Sequence, residues 1–240
     1  MVEALIRKLS RYAPLSREEE EAVRALTDPP RDYAKGQMIA QEGTSPRQSA
    51  VLASGLAFRY RALANGTRQI LSLHVPGDFV DLHSFVLKPL DHSIAVAVPS
   101  QVAKVPHDRL AQIVAGHPRI TCALMWDMAL DAATHREWMV GLGRRDAYQR
   151  LAHLFCELYY RMRMAGLTDD GRFELLLSQV ELADVCGLSS VHVNRSLQMM
   201  RHDHMIATEK GWLIIPDIDK LSDAAGFDPA YLHLISRPGD

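Results

Sequence analysis

The stretch that decides the fold is QVELADVCGLSSVHVNRSLQMMR, residues 179–201. Its apolar residues recur at helical spacing and predict one helix from Gln179 to Cys186 and a second from Ser190 to His202. Gly187 suits a tight turn between the two helices, and Ser189 can cap the start of the second. The stretch therefore predicts a helix-turn-helix.

The two faces of the second helix differ in chemistry. Val193, Leu197 and Met200 recur at helical spacing, so we expect them to pack inward. The face left outward carries Ser190, Val191, Asn194, Arg195 and Gln198. Arginine can bond guanine with two hydrogen bonds, asparagine and glutamine can do so with adenine, and valine can touch a thymine methyl group. This face is therefore expected to read bases in a DNA major groove.

The start of this helix and the segment after it support the same interpretation. Ser189 and His192 lie where backbone amides and the helix dipole favour contacts with phosphates. Ile206 and the pair Gly211-Trp212 predict a β-hairpin that would form a wing beside the helices. A helical hairpin can also serve packing alone. The wing makes DNA binding the preferred hypothesis.

The flanking segments complete a small C-terminal domain. Before the helix-turn-helix, the sequence predicts a helix from Arg144 to Met164 and a strand from Phe173 to Leu177. After it come predicted strands from Met205 to Thr208 and Trp212 to Ile215, and a closing helix from Asp217 to Gly226. Together these elements predict a winged helix-turn-helix.

The N-terminal half has a different pattern. Short β-prone runs alternate with Gly, Asn, Asp and Pro between Asp32 and Pro106. The runs are Gln37 to Gln41, Ser49 to Ala53, Ala57 to Ala62, Arg68 to Val75, Ser93 to Val98 and Gln101 to Val105. Many short strands with regular turns predict a barrel or sandwich, here a jelly roll. Two short helices are expected before it, the second opened by Ser16 and Glu19 as a capping box.

A long helix is predicted between these halves, from Pro118 to Val140. Gly116-His117-Pro118 before it and Gly141-Leu142-Gly143 after it are expected to form a boundary and a hinge. Steps of three and four residues, as in a two-stranded coiled coil, connect Met125, Met128, Ala132, His135, Met139 and Leu142. A second apolar face contains Leu124, Leu130 and Trp138. A helix that is apolar on two sides usually has two partners, which favours a homodimer. The alternative is a helix that packs only on its own domain.

The composition limits the class of protein. The 240-residue chain has a formal net charge of −2, so any DNA binding must be local and specific. The N-terminal stretch is Glu-rich where a signal peptide needs an apolar core, and no membrane-spanning run occurs, so we expect a cytoplasmic protein without a membrane partner. The three cysteines, Cys122, Cys156 and Cys186, lie far apart in apolar helical patterns, so we expect core positions rather than a disulfide, zinc or iron-sulfur site.

The second helix resembles the recognition helix of the Crp/Fnr family of transcription regulators, which typically reads G-x-S-x-x-x-V-x-R. The matching residues are Gly187, Ser189, Val193 and Arg195. By this resemblance, Arg195 takes the position of the family's guanine-contacting arginine. Val191 replaces a Glu of many members and Ser190 replaces an Arg of some, so the resemblance implies a different operator.

The barrel is similar to the family's cyclic-nucleotide-binding-like domain. The shared residues are Lys35-Gly36, Glu42-Gly43, Gly55, Gly66, Arg68 and Pro76-Gly77-Asp78-Phe79-Val80. The resemblance implies an α+β protein with a jelly-roll sensor domain at residues 1–116, a dimerisation helix and hinge at 117–143, and a winged helix-turn-helix domain at 144–240. It also implies a homodimer that binds a palindromic operator in double-stranded DNA and acts with RNA polymerase.

The resemblance fails at the effector pocket. Cyclic-AMP receptors of the family hold the ribose with a Glu and the phosphate with an Arg-Ser pair, where this chain has Leu82 and His92. A neutral His does not replace a permanently charged guanidinium, so cyclic AMP is not the expected effector. The effector stays unidentified, and no cofactor is identified. Candidate pocket residues are Leu82, His83, Ser84, His92, Ser93, His135 and Arg136.

Two alternatives remain open. The first is an effector-independent regulator whose barrel serves only to dimerise. The second is a metal-binding cupin-like enzyme that uses His74, His83 and His92. The spacing lacks the H-x-H followed by Glu of metal-dependent cupins, so hydrogen-bonded or solvated histidines are expected instead. We therefore predict neither a metal site nor catalytic residues.

Overall fold

Two short helices begin the described part of the chain, which comprises residues 2–168 and 170–234 of a computed structural model. They are α1 (Val2–Leu9) and α2 (Arg17–Leu26). The Ser16 hydroxyl accepts a hydrogen bond from the Glu19 amide, and the Glu19 carboxylate accepts one from the Ser16 amide. This is the capping box that the sequence predicts.

Two antiparallel sheets follow and form the jelly-roll barrel. The strands are β1 (Arg31–Tyr33), β2 (Met38–Ala40), β3 (Gln48–Ser54), β4 (Ala57–Ala62), β5 (Arg68–His74), β6 (Ser93–Val96) and β7 (Ser100–Pro106). One sheet has the order β1-β7-β3, and the other has the order β2-β6-β4-β5. A core of small and branched residues joins both sheets: Ala50, Leu52, Ala57, Val80, Ile94, Val96 and Val102. The predicted fold class is confirmed.

Gly55 explains how β3 turns back into β4. Its φ is +89°, a conformation that residues with a side chain rarely adopt. A Cβ at this position would lie 2.1 Å from the Oγ of Ser100. Backbone conformation and close approach therefore both require glycine here.

A second core holds the N-terminal helices against the barrel and the helices that follow it. It contains Leu5, Leu9, Leu26, Phe79, Leu82, Leu110 and Ile120, among others. An ion cluster lies beside it, where the Lys8 ammonium is 2.6 Å from the Asp78 carboxylate and 2.5 Å from that of Asp127. Both carboxylates are buried, so the lysine compensates charges that would otherwise be costly in the interior.

The long helix does not end where the sequence predicts. After α3 (His107–Gly116), α4 runs from Pro118 to Arg144 and continues through the two glycines expected to interrupt it. The expected end at Val140 is wrong because a helical glycine costs only about 1 kcal/mol relative to alanine, which flanking turns can offset. The break comes at Asp146, which caps α5 (Ala147–Ala165) in a capping box with Gln149.

The C-terminal part forms a winged helix-turn-helix. Its further elements are β8 (Arg172–Glu174), α6 (Gln179–Cys186), α7 (Ser190–His202), β9 (Ala207–Glu209), β10 (Trp212–Ile214) and α8 (Ile218–Ala225). The three strands pair in the order β8-β10-β9. The predicted bounds of α6 and α7 are confirmed at both ends.

By its internal contacts the chain divides into two compact units. One comprises the residues up to Arg61, Leu71–Ala132 and the described residues from His233 onward. The other comprises Ala62–Ile70 and Ala133–Leu232. Among the described residues, no helix combines the length and apolar character that a membrane span requires.

The cysteines correct one expectation. Cys156 and Cys186 are buried as predicted, whereas Cys122 is exposed on α4. Cys122 points away from the core because its neighbours Ala123 and Leu124 occupy the buried side of the helix. Periodicity identified an apolar helix but did not identify the side on which this cysteine lies.

Candidate DNA-binding face and sensor pocket

The recognition helix α7 is held by one buried face. Val193, Leu197 and Met200 are all buried, which confirms the predicted inward set. Gly187, between α6 and α7, has a φ of +60° and ends α6 in the left-handed conformation. Arg150 of α5 donates a hydrogen bond to the carbonyl oxygen of Cys186 at 3.0 Å, which fixes the turn from behind.

The outward face of α7 is open to solvent. The exposed residues are Ser189, Ser190, Val191, His192, Arg195 and Gln198. Asn194 is half-buried, and its amide donates a 3.4 Å hydrogen bond to the Gln179 side chain. Arg195 has no hydrogen bond or ion pair within the described chain, so its guanidinium is available for an external partner.

The start of α7 is capped by Ser189. Its hydroxyl accepts a 3.3 Å hydrogen bond from the His192 amide and lies 3.1 Å from the His192 Nδ1 atom. Capping orders the first turn, whose remaining amides point out of the helix. Such a helix start suits an anion such as a DNA phosphate.

The wing tip and the neighbouring strand β8 each carry a cation that the sequence analysis did not single out, Lys210 and Arg172. Its tip turns at Lys210 and Gly211, which have φ values of +48° and +89°. The Arg172 guanidinium lies 5.5 Å from the centre of the partly exposed Trp212 ring. The sequence predicts the hairpin itself from Gly211 and Trp212. The contact between Arg172 and Trp212 could not be predicted, because it forms only when β8 pairs with β10 in the folded domain.

An apolar stripe along α4 is uncovered in the single chain. Its exposed members are Met125, Met128, Ala132, Met139 and Leu142. Met139 has 71% of its surface accessible, which is unusual for a methionine in a folded domain. His135, the remaining residue of the predicted seam, is half-buried, and its neighbour Arg136 is exposed.

The pocket candidates in the barrel separate into two groups. Leu82 belongs to the core, and the buried Ser84 hydroxyl lies 3.3 Å from that of Ser49. Ser93 accepts a 3.1 Å hydrogen bond from the Glu42 amide. Among these candidates, His83 and His92 are brought together with their ring centres 4.9 Å apart, and the Nε2 atom of each ring has no hydrogen-bond partner in the described chain.

The two imidazoles meet the carboxylate of Asp91. The Nδ1 atom of His92 lies 2.6 Å from Oδ1 of Asp91. The Nε2 atoms of His83 and His92 are buried and have no hydrogen-bond partner among the described residues. One ligand atom from each of the three residues lies within 4.8 Å of the other two. The contact between His92 and Asp91 agrees with the expectation of solvated or hydrogen-bonded histidines, although one nitrogen of each ring lacks a partner among the described residues.

Burial is the main influence on the protonation of both imidazoles. Burial, with the Arg59 charge as the second cause, lowers the pKa of His83 to about 4. The same two causes lower the pKa of His92. Arg59 itself is buried, donates a 2.7 Å hydrogen bond to the Val80 carbonyl and forms an ion pair with Asp131 of α4. Sequence reasoning missed Arg59 and Asp91, since neither falls in a recognisable motif.

His74, the third histidine of the cupin-like alternative, does not join the pair in this cluster. Its Nε2 atom lies 2.9 Å from the Ser72 hydroxyl, and both residues are buried on β5. A hydrogen-bonded structural histidine is the simpler reading for this position.

The fold and its sites define a class of protein: a regulator with a sensor barrel and a DNA-reading winged helix-turn-helix. Family models agree, because residues 30–117 match the cyclic nucleotide-binding domain and residues 149–224 match the Crp-like helix-turn-helix domain. A probable transcriptional activator of Rhizobium leguminosarum is 31% identical over 189 residues, which is 77% of this chain and 76% of the relative. The chain belongs to the Crp/Fnr family of transcription regulators.

Other relatives agree in fold and class. The transcriptional activator protein FnrL of Cereibacter sphaeroides is 28% identical over 210 residues, covering 82% of this chain and 81% of FnrL. The structure of FixK2 from Bradyrhizobium japonicum has a TM-score of 0.72 at 20% identity and covers 81% of this chain and 96% of that one. The protein is thus a DNA-binding regulator of a family that acts as dimers, and it is not an enzyme.

Proposed function

We propose that this regulator works in the cytoplasm as a homodimer that binds a palindromic operator with half-sites about one helical turn apart. The observation that carries the proposal is the outward face of α7, where Arg195 is exposed and without a partner in the described chain. Its opposite face is buried, so α7 can enter a groove without losing its own packing.

Specific contacts are assigned by chemistry. Arg195 reads guanine, while Asn194 and Gln198 suit adenine and Val191 suits a thymine methyl group. Ser190 adds an exposed hydroxyl to this face. Ser189 and His192, at the capped helix start, contact phosphates.

The occupant of the α4 stripe is a second copy of the chain. Methionines at three- and four-residue steps, exposed in the single chain, match the seam of a two-stranded coiled coil. A twofold axis along this seam would relate the two recognition helices, which is why a palindrome is expected. The functional division follows: a sensor at residues 1–116, a dimerisation helix and hinge at 117–143, and a DNA-binding domain at 144–240.

A second partner is RNA polymerase. The relatives FnrL and Anr carry the name of transcriptional activators. An activator of this kind must act on the transcribing enzyme, so we assign the same partner to this chain.

The effector is not cyclic AMP. The position that would hold the phosphate is His92, whose burial lowers its pKa, and the adjacent side chain is the carboxylate of Asp91. A neutral imidazole beside a negative charge does not favour a phosphate. Leu82, at the position of the ribose-binding Glu, is buried in the core.

The test is a selection of bound sequences from random duplex DNA with the purified full-length protein. Recovery of a palindrome with half-sites about 10 base pairs apart is expected, and Arg195→Ala should select a motif that has lost the preference at one base pair in each half-site. A non-palindromic product would overturn the dimeric mode. Enrichment without any added effector would favour the constitutive regulator, and enrichment only after adding cell extract would favour an effector-dependent one.

A further inference from the structure

His83, Asp91 and His92 come from two separate segments of the barrel. His83 lies in the 3-10 turn Leu82–Phe85, and the other two directly precede β6. We propose that these three side chains bind one divalent transition metal ion per chain, with zinc as the representative ion. The proposal rests on their convergence and on the two buried Nε2 atoms without partners.

The unpartnered nitrogens are the strongest observation. Only 9% of the His92 side chain is accessible, and its Nε2 atom is closed to solvent and without a hydrogen bond in the described chain. Buried polar atoms in folded proteins nearly always have a partner, and the exceptions call for a reason such as an ion. Two such atoms on neighbouring rings, whose planes are tilted by 46°, share one reason if both face the same ion.

The distances allow this without rebuilding the backbone. Around one zinc ion with bonds of about 2.0–2.1 Å, ligand atoms lie about 3.4 Å apart. The three ligand atoms are within 4.8 Å of one another, so modest side-chain rotations bring them to bonding distance. The Asp91 side chain is 88% exposed, so its contact with His92, rather than packing, sets its present orientation.

The donor set selects the class of ion. Imidazole nitrogens suit zinc, nickel, copper and iron, whereas magnesium and calcium prefer oxygen ligands. A carboxylate beside the rings supports a cation and disfavours an anion. Asp91 can ligate the ion directly or hold the His92 ring through Nδ1, an arrangement common at zinc sites. Three protein ligands leave a coordination position for water or a small molecule.

The site coincides with the pocket that family resemblance assigns to an effector, so it deepens the proposed function by naming the chemical class of the input. Arg59 lies close to both histidines, and its ion pair with Asp131 connects the pocket to α4. A metal ion would repel the Arg59 guanidinium and attract the Asp131 carboxylate. Occupancy is thereby coupled to the helix that carries the predicted dimer seam.

Metal binding is tested on the purified full-length protein after treatment with EDTA. Titration with Co²⁺ and Zn²⁺ should give one ion per chain, with a visible cobalt spectrum typical of nitrogen and oxygen ligands and no response to Mg²⁺. The double variant H83Q/H92Q should lose the spectrum and bind at least 100-fold more weakly. Asp91→Asn should weaken binding about 10- to 100-fold.

The variants separate ligation from folding. Asp91 is a surface residue, so Asp91→Asn keeps the proposal testable even if the double variant fails to fold. His233→Asn removes an exposed histidine of positive φ, a conformation that asparagine tolerates, and should leave binding unchanged. A wild-type protein that binds no ion, or one whose binding survives H83Q/H92Q, would overturn the site.

The regulatory half is measured separately with the selected operator. Saturating Zn²⁺ should change the operator affinity of the wild type at least fivefold and leave that of H83Q/H92Q unchanged. Equal affinities with and without zinc would overturn metal as the input. Because metal binding is measured without DNA, its failure is distinguishable from failure of the operator selection, which would instead overturn the proposed function.

Discussion

The indole N–H of Trp138 donates a 2.8 Å hydrogen bond to the carboxylate of Glu157. The Tyr231 hydroxyl donates to the same oxygen at 2.9 Å, and Arg161 donates to the other oxygen at 2.9 Å. The Glu157 side chain is fully buried, so this carboxylate joins α4, α5 and the 3-10 turn Pro229–Leu232 through charge and hydrogen bonds. Its removal would leave several donors without an acceptor.

We expect Glu157→Ala to lower the free energy of unfolding by about 3–5 kcal/mol, the usual loss when one partner of a buried ion pair is deleted. Chemical denaturation followed by tryptophan fluorescence and circular dichroism measures it. Glu174→Ala, which removes an exposed carboxylate from β8, is the control and should change stability by less than about 0.5 kcal/mol. Equal stability of the two variants would show that the buried network contributes little.

Arg195→Ala should weaken specific operator binding by about 1–3 kcal/mol and relax the preference at one base pair in each half-site. Arg195→Lys keeps the charge but loses the two-bond geometry, so it should also lose the preference. Gel-shift titrations with the selected site and a one-base variant measure both effects. Arg17→Ala removes an exposed cation of α2 and is the charge-matched control. Unchanged discrimination in Arg195→Ala would remove this residue from its assigned role.

Met128→Asp and Met139→Asp should convert the dimer into a monomer, because both side chains belong to the exposed stripe on α4 and a seam would bury the new charge. Sedimentation velocity at micromolar concentration measures the mass. Val114→Asp, at an exposed apolar position on α3, should remain dimeric. Dimers that persist in both seam variants would show that the register of the seam is wrong.

His153 should make the C-terminal unit sensitive to acid. Burial, followed by the Arg145 charge, lowers the pKa of His153, whose ring packs against Phe227 and Tyr231. A lowered pKa in the folded state means that the unfolded chain binds the proton first. Stability is therefore complete above the ordinary histidine pKa of about 6.5 and is lost as the pH falls through the folded value.

His153→Gln should be less stable than the wild type at pH 7.5, because the ring contacts are gone, but should lose less stability on going to pH 5. Thermal unfolding at several pH values measures whether the difference in stability between the variant and the wild type becomes smaller as the pH falls. His202→Gln, which removes a largely exposed histidine, should follow the wild-type profile. Parallel profiles for His153→Gln and the wild type would rule out this titration as the source of acid sensitivity.

Thiol reactivity should distinguish the three cysteines. Burial raises the pKa of Cys156 and of Cys186 to about 12, whereas Cys122 is exposed. Because the thiolate is the reactive form, a disulfide reagent at pH 8 should modify one thiol per native chain and three after unfolding. Cys122→Ser should abolish the native reaction. Rapid modification of a second thiol would contradict the burial of α5 or α6.

Local signals account for the parts of the fold that the sequence predicted well. The bounds of α6 and α7 follow from Ser178 and Ser189 at the helix starts and Gly187 between the helices. Each signal acts within one turn of the chain and depends little on tertiary context. The outward face of α7 was also predictable, because the helical spacing of the apolar residues identifies the buried face and therefore the opposite, exposed face.

The barrel cluster was not predictable from such signals. His83 and His92 are separated by a loop whose path only the folded barrel determines, and their spacing matches no helix or strand period. From the sequence, a charged residue on β4 such as Arg59 would be expected to face solvent. In the structure Arg59 is buried, and its guanidinium is bound to the Val80 carbonyl and the Asp131 carboxylate. The short, polar β1 was missed because its pairing with β7, rather than its composition, makes it a strand.

Gly141 and Gly143 remain inside α4, and a methyl group at Gly143 would meet no atom within 4 Å. Alanine would fit there and would favour the helix by about 1 kcal/mol. The glycine therefore makes this stretch of helix less stable, although packing does not require a glycine at this position. The backbone amides near the end of α4 should therefore exchange with solvent sooner than those in its middle. We therefore expect the end of the longest helix in the described chain to fray and re-form more readily than the capped helix that follows it.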